Sequence, residues 1–491
     1  MNSDTSTTDH ELRAGKNIIW NAIGQVVLRL LGFVFFVYLS SRLLEAGMGK
    51  YGFIGSFVVP WFIFSDFGIG GHLFREWAKK EKPFSEIEDD FYLDFTLRFV
   101  MASLVFVPFI IINYFINSEI FVPLILAYIS TFLAIFTNLA DSFLQSNNAF
   151  RNISIRQVLE KLVIVIIGGI LIYIKPSLNL LFIATIIGQL VSLAYYYTTV
   201  LPFKFRFVFD WPKTRRLARI GLPFVFTTLL LTIYARIDIV MLRFMDGFES
   251  VGWYNTAYRF IDLGSIFYAS LFLPSIFTIL SSLYNQHDRQ KFNAFFDKTV
   301  RILFSSGLAI TVGTIFFARW AVSLFFPPSF APAVLALQIL ILVQLIGSFS
   351  YFFNNILVIQ HKEKTGLYVI LFSACFNILL NLFLIPRYSL YGAAWATVIA
   401  EVANFYLFQR YTDWQKNRSL IIKMAGMIAF NVAVCLVLNS FDLLNNVFIG
   451  VIMLLINGIV VWKVELLKRE DVSLFLRPVK LKFVAFFNNE V

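Results

Sequence analysis

Apolar residues run through this chain in long blocks, each closed by a short polar stretch. Fourteen blocks are long enough to cross a bilayer, for which about 20 helical residues suffice. They fall at 17–40, 51–72, 93–116, 120–144, 157–174, 179–201, 219–243, 252–281, 299–321, 333–357, 366–385, 391–411, 420–438 and 445–466. The pattern therefore predicts an all-α integral membrane protein of about 14 transmembrane helices, with tight hairpins over 93–144 and 420–466.

Some blocks are not uniformly apolar. Asn17, Asn21, Gln25 and Arg29 recur at steps of four in the first block. Thr228, Thr232 and Arg236, followed by Asp238, do so in the seventh, and Asn255, Arg259 and Asp262 share one side of the eighth. Such spacings put side chains on one helix face. A charge at the centre of a span costs about 2.5–3.5 kcal/mol on insertion scales, so a stripe of this kind implies a wet interior between helices. Arg29, Arg236 and Arg259, together with Asn21, Gln25, Thr232 and Asn255, are the candidates for lining such an interior. Asp66, Asp141, Asp238, Asp262 and Glu401 are candidates for ion coupling or for salt bridges. For the Asp94–Arg98 pair, one turn apart, the plain expectation is that Arg98 snorkels to the interface.

Composition agrees. The chain is 58% hydrophobic and 14% charged with mean hydropathy +0.75, whereas a soluble protein carries about 25% charge. Residues 1–15 are polar and the block behind them holds Arg29, so a cleavable signal is not expected. Two cysteines and four scattered histidines give no disulfide framework and no metal site, and no phosphate loop or catalytic set appears. No catalytic residue, metal or cofactor is expected.

The net charge of +11 changes the picture only through its distribution. With alternate connections assigned to alternate faces, thirty of the 41 Lys and Arg fall on one side, six on the other and five within spans. Positive residues collect on the cytoplasmic side, so both termini are expected there, and no nucleic-acid partner is needed to explain the surplus.

Two short matches suggest an internal repeat. Met48-Gly49-Lys50-Tyr51 resembles Val251-Gly252-Trp253-Tyr254, and Ala184-Thr185 with Gln189 matches Ala396-Thr397 with Glu401. Six spans separate the copies, an even number, so they share one orientation. The expected organisation is two parallel six-helix lobes, 1–202 and 203–412, around a central cavity, with two further helices and a basic tail in 413–491.

Some stretches are similar to a known family. These are Gly221-Leu222-Pro223, Ile237-Asp238-Ile239-Val240-Met241-Leu242 and the run Val251 to Arg259, and most specifically Asn377 to Pro386 followed by Tyr391 to Thr397. They resemble polysaccharide-export flippases of the O-antigen type, within the multidrug/oligosaccharidyl-lipid/polysaccharide exporter superfamily. The resemblance implies an undecaprenyl-pyrophosphate-linked oligosaccharide as substrate and a bacterial inner-membrane location. It also implies polysaccharide polymerase and assembly proteins as further partners beside the lipid bilayer. A multidrug exporter of the same superfamily is the nearest rival, although its cavity should carry acids without arginines. A non-transporting scaffold for polysaccharide assembly is the other, and it would not need charged helix faces.

Overall fold

The computed structural model describes the backbone of residues 3–468 apart from 67, 82, 203–205, 267–272, 415–416 and 442. Side chains are described over the same range apart from 3–23, 66, 223–224, 226–227, 230, 233, 264–266 and 273–275. Helix order is α1 (Ser3–Asp66), α2 (Ile69–Lys79), α3 (Phe84–Ile116), α4 (Phe121–Ser146), α5 (Phe150–Ile174), α6 (Leu178–Tyr195) and α7 (Trp211–Met245). Then come α8 (Phe248–Ile266), α9 (Leu273–Asn285), α10 (Arg289–Phe325), α11 (Ala333–Ile359), α12 (Glu363–Tyr411), α13 (Arg418–Ser440) and α14 (Val447–Lys463). Among the described residues nine helices are long and apolar enough to cross a membrane.

Two of these helices exceed one crossing. The first carries the first two predicted spans and bends at Leu44, whose φ of 54° lies in the left-handed region that a leucine rarely adopts. The other, α12, carries the eleventh and twelfth and bends at Ser389, φ 54°, three residues beyond Pro386. That proline has no N–H to donate and its ring crowds the preceding turn, which ends the first half of the helix there. The predicted eighth span is shared between α8 and α9.

By internal contacts the chain divides into Met1–Gly252 and Trp253–Val491. In the first unit α5 packs between α1 and α6, α4 against α6, and α7 along α1. One end of this unit is an aromatic cluster of Trp77, Phe91, Phe95, Phe136, Phe143 and Tyr196. Between helices in lipid there is little hydrophobic drive, so association rests on close packing and hydrogen bonds. Phenylalanine supplies the first.

The first unit also brings the repeated glycines together. A Cβ on Gly49 would lie 1.7 Å from the Phe248 carbonyl oxygen, and one on Gly252 would lie 2.1 Å from that of Glu45. Residues 45 and 49 stand 203 positions before 248 and 252, so each copy seats its glycine on the other's backbone. Only a residue without a Cβ permits this approach. The ring of Phe248 is covered by the Arg243 guanidinium, 3.7 Å from the centroid.

In the second unit α11 packs on α10 and α12, and α14 lies against α10. Here too the core is aromatic: Phe296 stacks on Trp414 and tilts against Phe352 and Phe353. The last two helices are joined by Asn431 and Asn457, buried residues that exchange amide hydrogen bonds of 2.7 and 2.9 Å. Outward, α13 and α14 expose Ile422, Leu436, Phe448 and Leu455, as lipid-facing helices do.

Candidate functional site

The polar stripe of α1 is half-buried at Gln25 and Arg29; the side chain of Asn21 lies outside the described residues. One turn beyond Arg29, a Cβ on Gly32 would sit 3.7 Å from Lys161 Nζ of α5. This second cation lies along α1, 6.0 Å from the Phe35 ring centroid. Sequence reasoning counted Lys161 among the charges inside spans and gave it no role. Its signal was a lysine one turn inside the block 157–174.

On α7, the Thr232 hydroxyl donates to the Thr228 carbonyl at 2.8 Å, a local bond that leaves its oxygen able to accept. Arg236, one turn on, is half-buried, and among the described residues it has no carboxylate partner. Asp238 is buried and its Oδ1 accepts from the Ile239 N–H at 2.8 Å.

In the second unit Asn255 is 9% exposed and its amide nitrogen finds no hydrogen-bond acceptor among the described residues. A buried donor without a partner is costly, about 1–3 kcal/mol, and marks a position suited to a ligand oxygen. Arg259 and Asp262 on the same helix approach to 3.9 Å with both side chains more than 40% exposed. Such an exposed pair contributes little, about 0–1 kcal/mol.

Other charges are locked, and here the structure corrects the sequence. Arg98 does not snorkel: it is 4% exposed and its Nε donates to Asp94 at 3.1 Å. The connection carrying Phe207 and Val208 folds over this end of α3, where Thr96 accepts from the Val208 N–H and Phe207 packs on Phe95 and Phe99. Water is kept away, so the arginine must pair in place. Arg156 is locked as well. It lies in α5, 5% exposed, with its two terminal nitrogens on Asp141 at 2.8 Å and Glu160 at 2.5 Å.

This second cluster joins three helices. The Tyr196 hydroxyl donates to Asp141, Gln189 donates to Glu160 at 2.8 Å, and Ser192 donates to Glu160 at 3.2 Å. Of the ion-coupling candidates, Asp141 is therefore tied to a guanidinium and a phenol, and the side chain of Asp66 lies outside the described residues. Glu401 is buried in a milder setting, accepting from Asn404 at 3.4 Å while Ser373 donates to Asn404 at 3.2 Å. Residues 373, 401 and 404 stand 213, 212 and 212 positions after Glu160, Gln189 and Ser192. The repeat thus preserves the place of a polar cluster while exchanging its charges. Among the described residues no group of three or more His, Cys, Asp or Glu is arranged to hold a metal ion.

Comparison with known proteins gives matches to two families. A family of polysaccharide biosynthesis proteins matches residues 14–284, and the MatE family matches 223–383. The capsular polysaccharide biosynthesis protein CapF of Staphylococcus aureus is 20% identical over 406 residues, 80% of this chain and 99% of its own length. An uncharacterized membrane protein of Methanocaldococcus jannaschii is 25% identical over 264 residues, half of this chain and 60% of that relative. Among solved structures, the lipid II flippase MurJ in an inward closed conformation matches with TM-score 0.70 and 20% identity. That match covers 94% of this chain and 99% of the other, so the two share a fold.

Proposed function

This chain belongs to the family of polysaccharide biosynthesis proteins, and on that premise we propose that it is a flippase for a lipid-linked oligosaccharide. The substrate is an undecaprenyl-pyrophosphate-linked unit of O-antigen or a similar surface polysaccharide, built on the cytoplasmic leaflet of a bacterial inner membrane and needed on the other. Both termini are cytoplasmic, and two parallel lobes, 1–202 and 203–412, alternate access to a cavity that takes the headgroup while the tail stays in lipid. The helices of 413–491 lie beside that path. A polysaccharide polymerase receives the product.

The observation that carries this reading is Arg236, a half-buried guanidinium on a long helix with no carboxylate partner among the described residues. Arginine offers bidentate donors to phosphate oxygens, and a pyrophosphate supplies what a carboxylate would otherwise have to. Arg29 and Lys161 add cations from α1 and α5, and Arg259 adds one from α8. Gln25, Asn21, Thr232 and Asn255 offer amide and hydroxyl groups to sugar hydroxyls. A potential negative inside favours outward movement of an anion by about 2.3 kcal/mol per charge per 100 mV, which gives two pyrophosphate charges a drive of about 4–5 kcal/mol. A proton or sodium ion moving through one of the carboxylates, with Asp66, Asp141, Asp238, Asp262 and Glu401 as the groups to test, is the alternative drive.

A multidrug exporter is the second reading, supported by the MatE match over 223–383. Charge decides between the two, since a cationic drug would be repelled by Arg29, Lys161 and Arg236. The test is deletion of the protein followed by assay of which leaflet holds the lipid-linked oligosaccharide. Build-up on the cytoplasmic leaflet is expected, and unchanged externalisation would remove the proposal. Arg29→Glu, Arg236→Glu and Arg259→Glu should each abolish surface polymer at normal protein level.

A further inference from the structure

A cavity of about 1100 Å³ opens in the second unit between the link from α9 to α10, the link from α11 to α12, and the segment after α12. Cavities that take drug-sized ligands run up to about 1,000 Å³, so this one is ample. Two of the four histidines of the chain, His287 and His361, stand on its wall. Each occupies the left-handed position just past a helix end, with φ 58° and 57°. Glycine is the usual residue there, because a Cβ strains that conformation.

The first unit shows that the turns themselves do not call for imidazole. After α11 the His361 N–H donates to Val358 at 3.1 Å and the Lys362 N–H to Leu357 at 2.8 Å. After α4 the same pair of bonds runs from Asn148 to Gln145 at 3.0 Å and from Ala149 to Leu144 at 2.8 Å. Asn148, φ 57°, holds the place of His361, and Lys80, φ 55°, ends α2 with the same left-handed turn. Two imidazoles on one cavity therefore need a reason beyond the backbone.

The charges around the wall supply it. Both acids there already have a lysine: Lys291 lies 2.9 Å from Asp288 and Lys362 lies 2.7 Å from Asp413. Asp288 also accepts the Lys291 N–H as the cap of α10, which holds its carboxyl below the ordinary value. Arg289 has no carboxylate partner among the described residues. The His287 Nδ1 is 2.9 Å from the Asn285 carbonyl oxygen, which can only accept, so Nδ1 carries the hydrogen, and Nε2 donates to a phosphate oxygen when the ring binds it as the imidazolium. Asn285 and Asn293 add amides and Tyr284 an aromatic face.

We propose that this cavity binds a phosphorylated sugar, with Arg289 and the two imidazoles on the phosphate oxygens and the amides on the hydroxyls. The anion rests on the cavity alone; that it is a sugar rests on the flippase reading. The same chemistry has two sources, a soluble sugar phosphate and the headgroup of a lipid-linked one. The full chain in phosphatidylcholine nanodiscs is treated with diethyl pyrocarbonate, and modification of His287 and His361 is read by peptide mass spectrometry. Glucose 1-phosphate is the soluble probe; nanodiscs doped with a polyprenyl pyrophosphate-linked sugar supply the lipid-borne one. At least tenfold slower modification with either probe is expected, and the probe that protects names the source. His287→Gly and His361→Gly keep the left-handed turns and should each weaken binding of the labelled probe at least tenfold without changing Tm. No protection by either probe overturns the proposal, and equal protection by inorganic phosphate overturns the sugar. The variant Arg29→Glu with Arg236→Glu should keep protection intact. Lost flipping with protection retained leaves this cavity standing, while lost protection with flipping retained retires the cavity and not the flippase.

Discussion

Arg156 and Arg236 look alike in the sequence, each an arginine at or inside an apolar block, yet they stand in opposite situations. Arg156 is enclosed at 5% exposure and divides its donors between Asp141 and Glu160, with Tyr196, Gln189 and Ser192 completing the set. Arg236 is half-buried and has no carboxylate among the described residues. A buried pair barely repays its desolvation, but removing one partner strands the other, so Arg156 belongs to the scaffold. An arginine held on a span without an acid beside it is better matched to an anion that arrives from outside.

Substitutions sharpen this contrast in order of effect on stability. Arg156→Ala leaves two carboxylates enclosed without a cation and should cost about 3–5 kcal/mol, seen as a large fall in Tm in detergent and as loss of protein from the membrane. Gly49→Ala comes next. The added methyl must push the Phe248 carbonyl away, and overpacking of this kind costs about 1–3 kcal/mol, checked by thermal unfolding. Asn431→Leu breaks the exchange with Asn457 and should lower stability by about 0.6–1.7 kcal/mol, from the average to the largest value found for hydrogen bonds between membrane helices. Arg236→Gln should change stability by no more than about 0.5 kcal/mol, and Asn255→Ala, which removes a buried unpartnered amide, should not lower it, while each abolishes transport of the lipid-linked oligosaccharide in reconstituted vesicles. Should Arg236→Gln melt like Arg156→Ala, the distinction between scaffold charge and ligand charge fails.

Much of the architecture could be read in one dimension. Each predicted span lies along a described helix or a consecutive pair, and the matching glycine motifs at 49 and 252 turned out to touch. The polar faces of α1, α7 and α8 were also legible, since helical spacing alone puts Gln25 with Arg29 and Asn255 with Arg259. What opposes each face was not. Lys161 reaches α1 from a helix more than a hundred residues away, Arg98 is enclosed by the segment at Phe207 and Val208, and Glu160 matters only because α4 and α6 bring Asp141 and Gln189 to it.

The chain by itself determined that this is a bundle of membrane helices, because hydropathy and helical period act locally and need no partner. The tertiary structure decided which charges are neutralised and which are left to act. That outcome depends on distances between segments far apart in the chain, and a few ångströms of packing separate an arginine that holds helices together from one that can hold a phosphate.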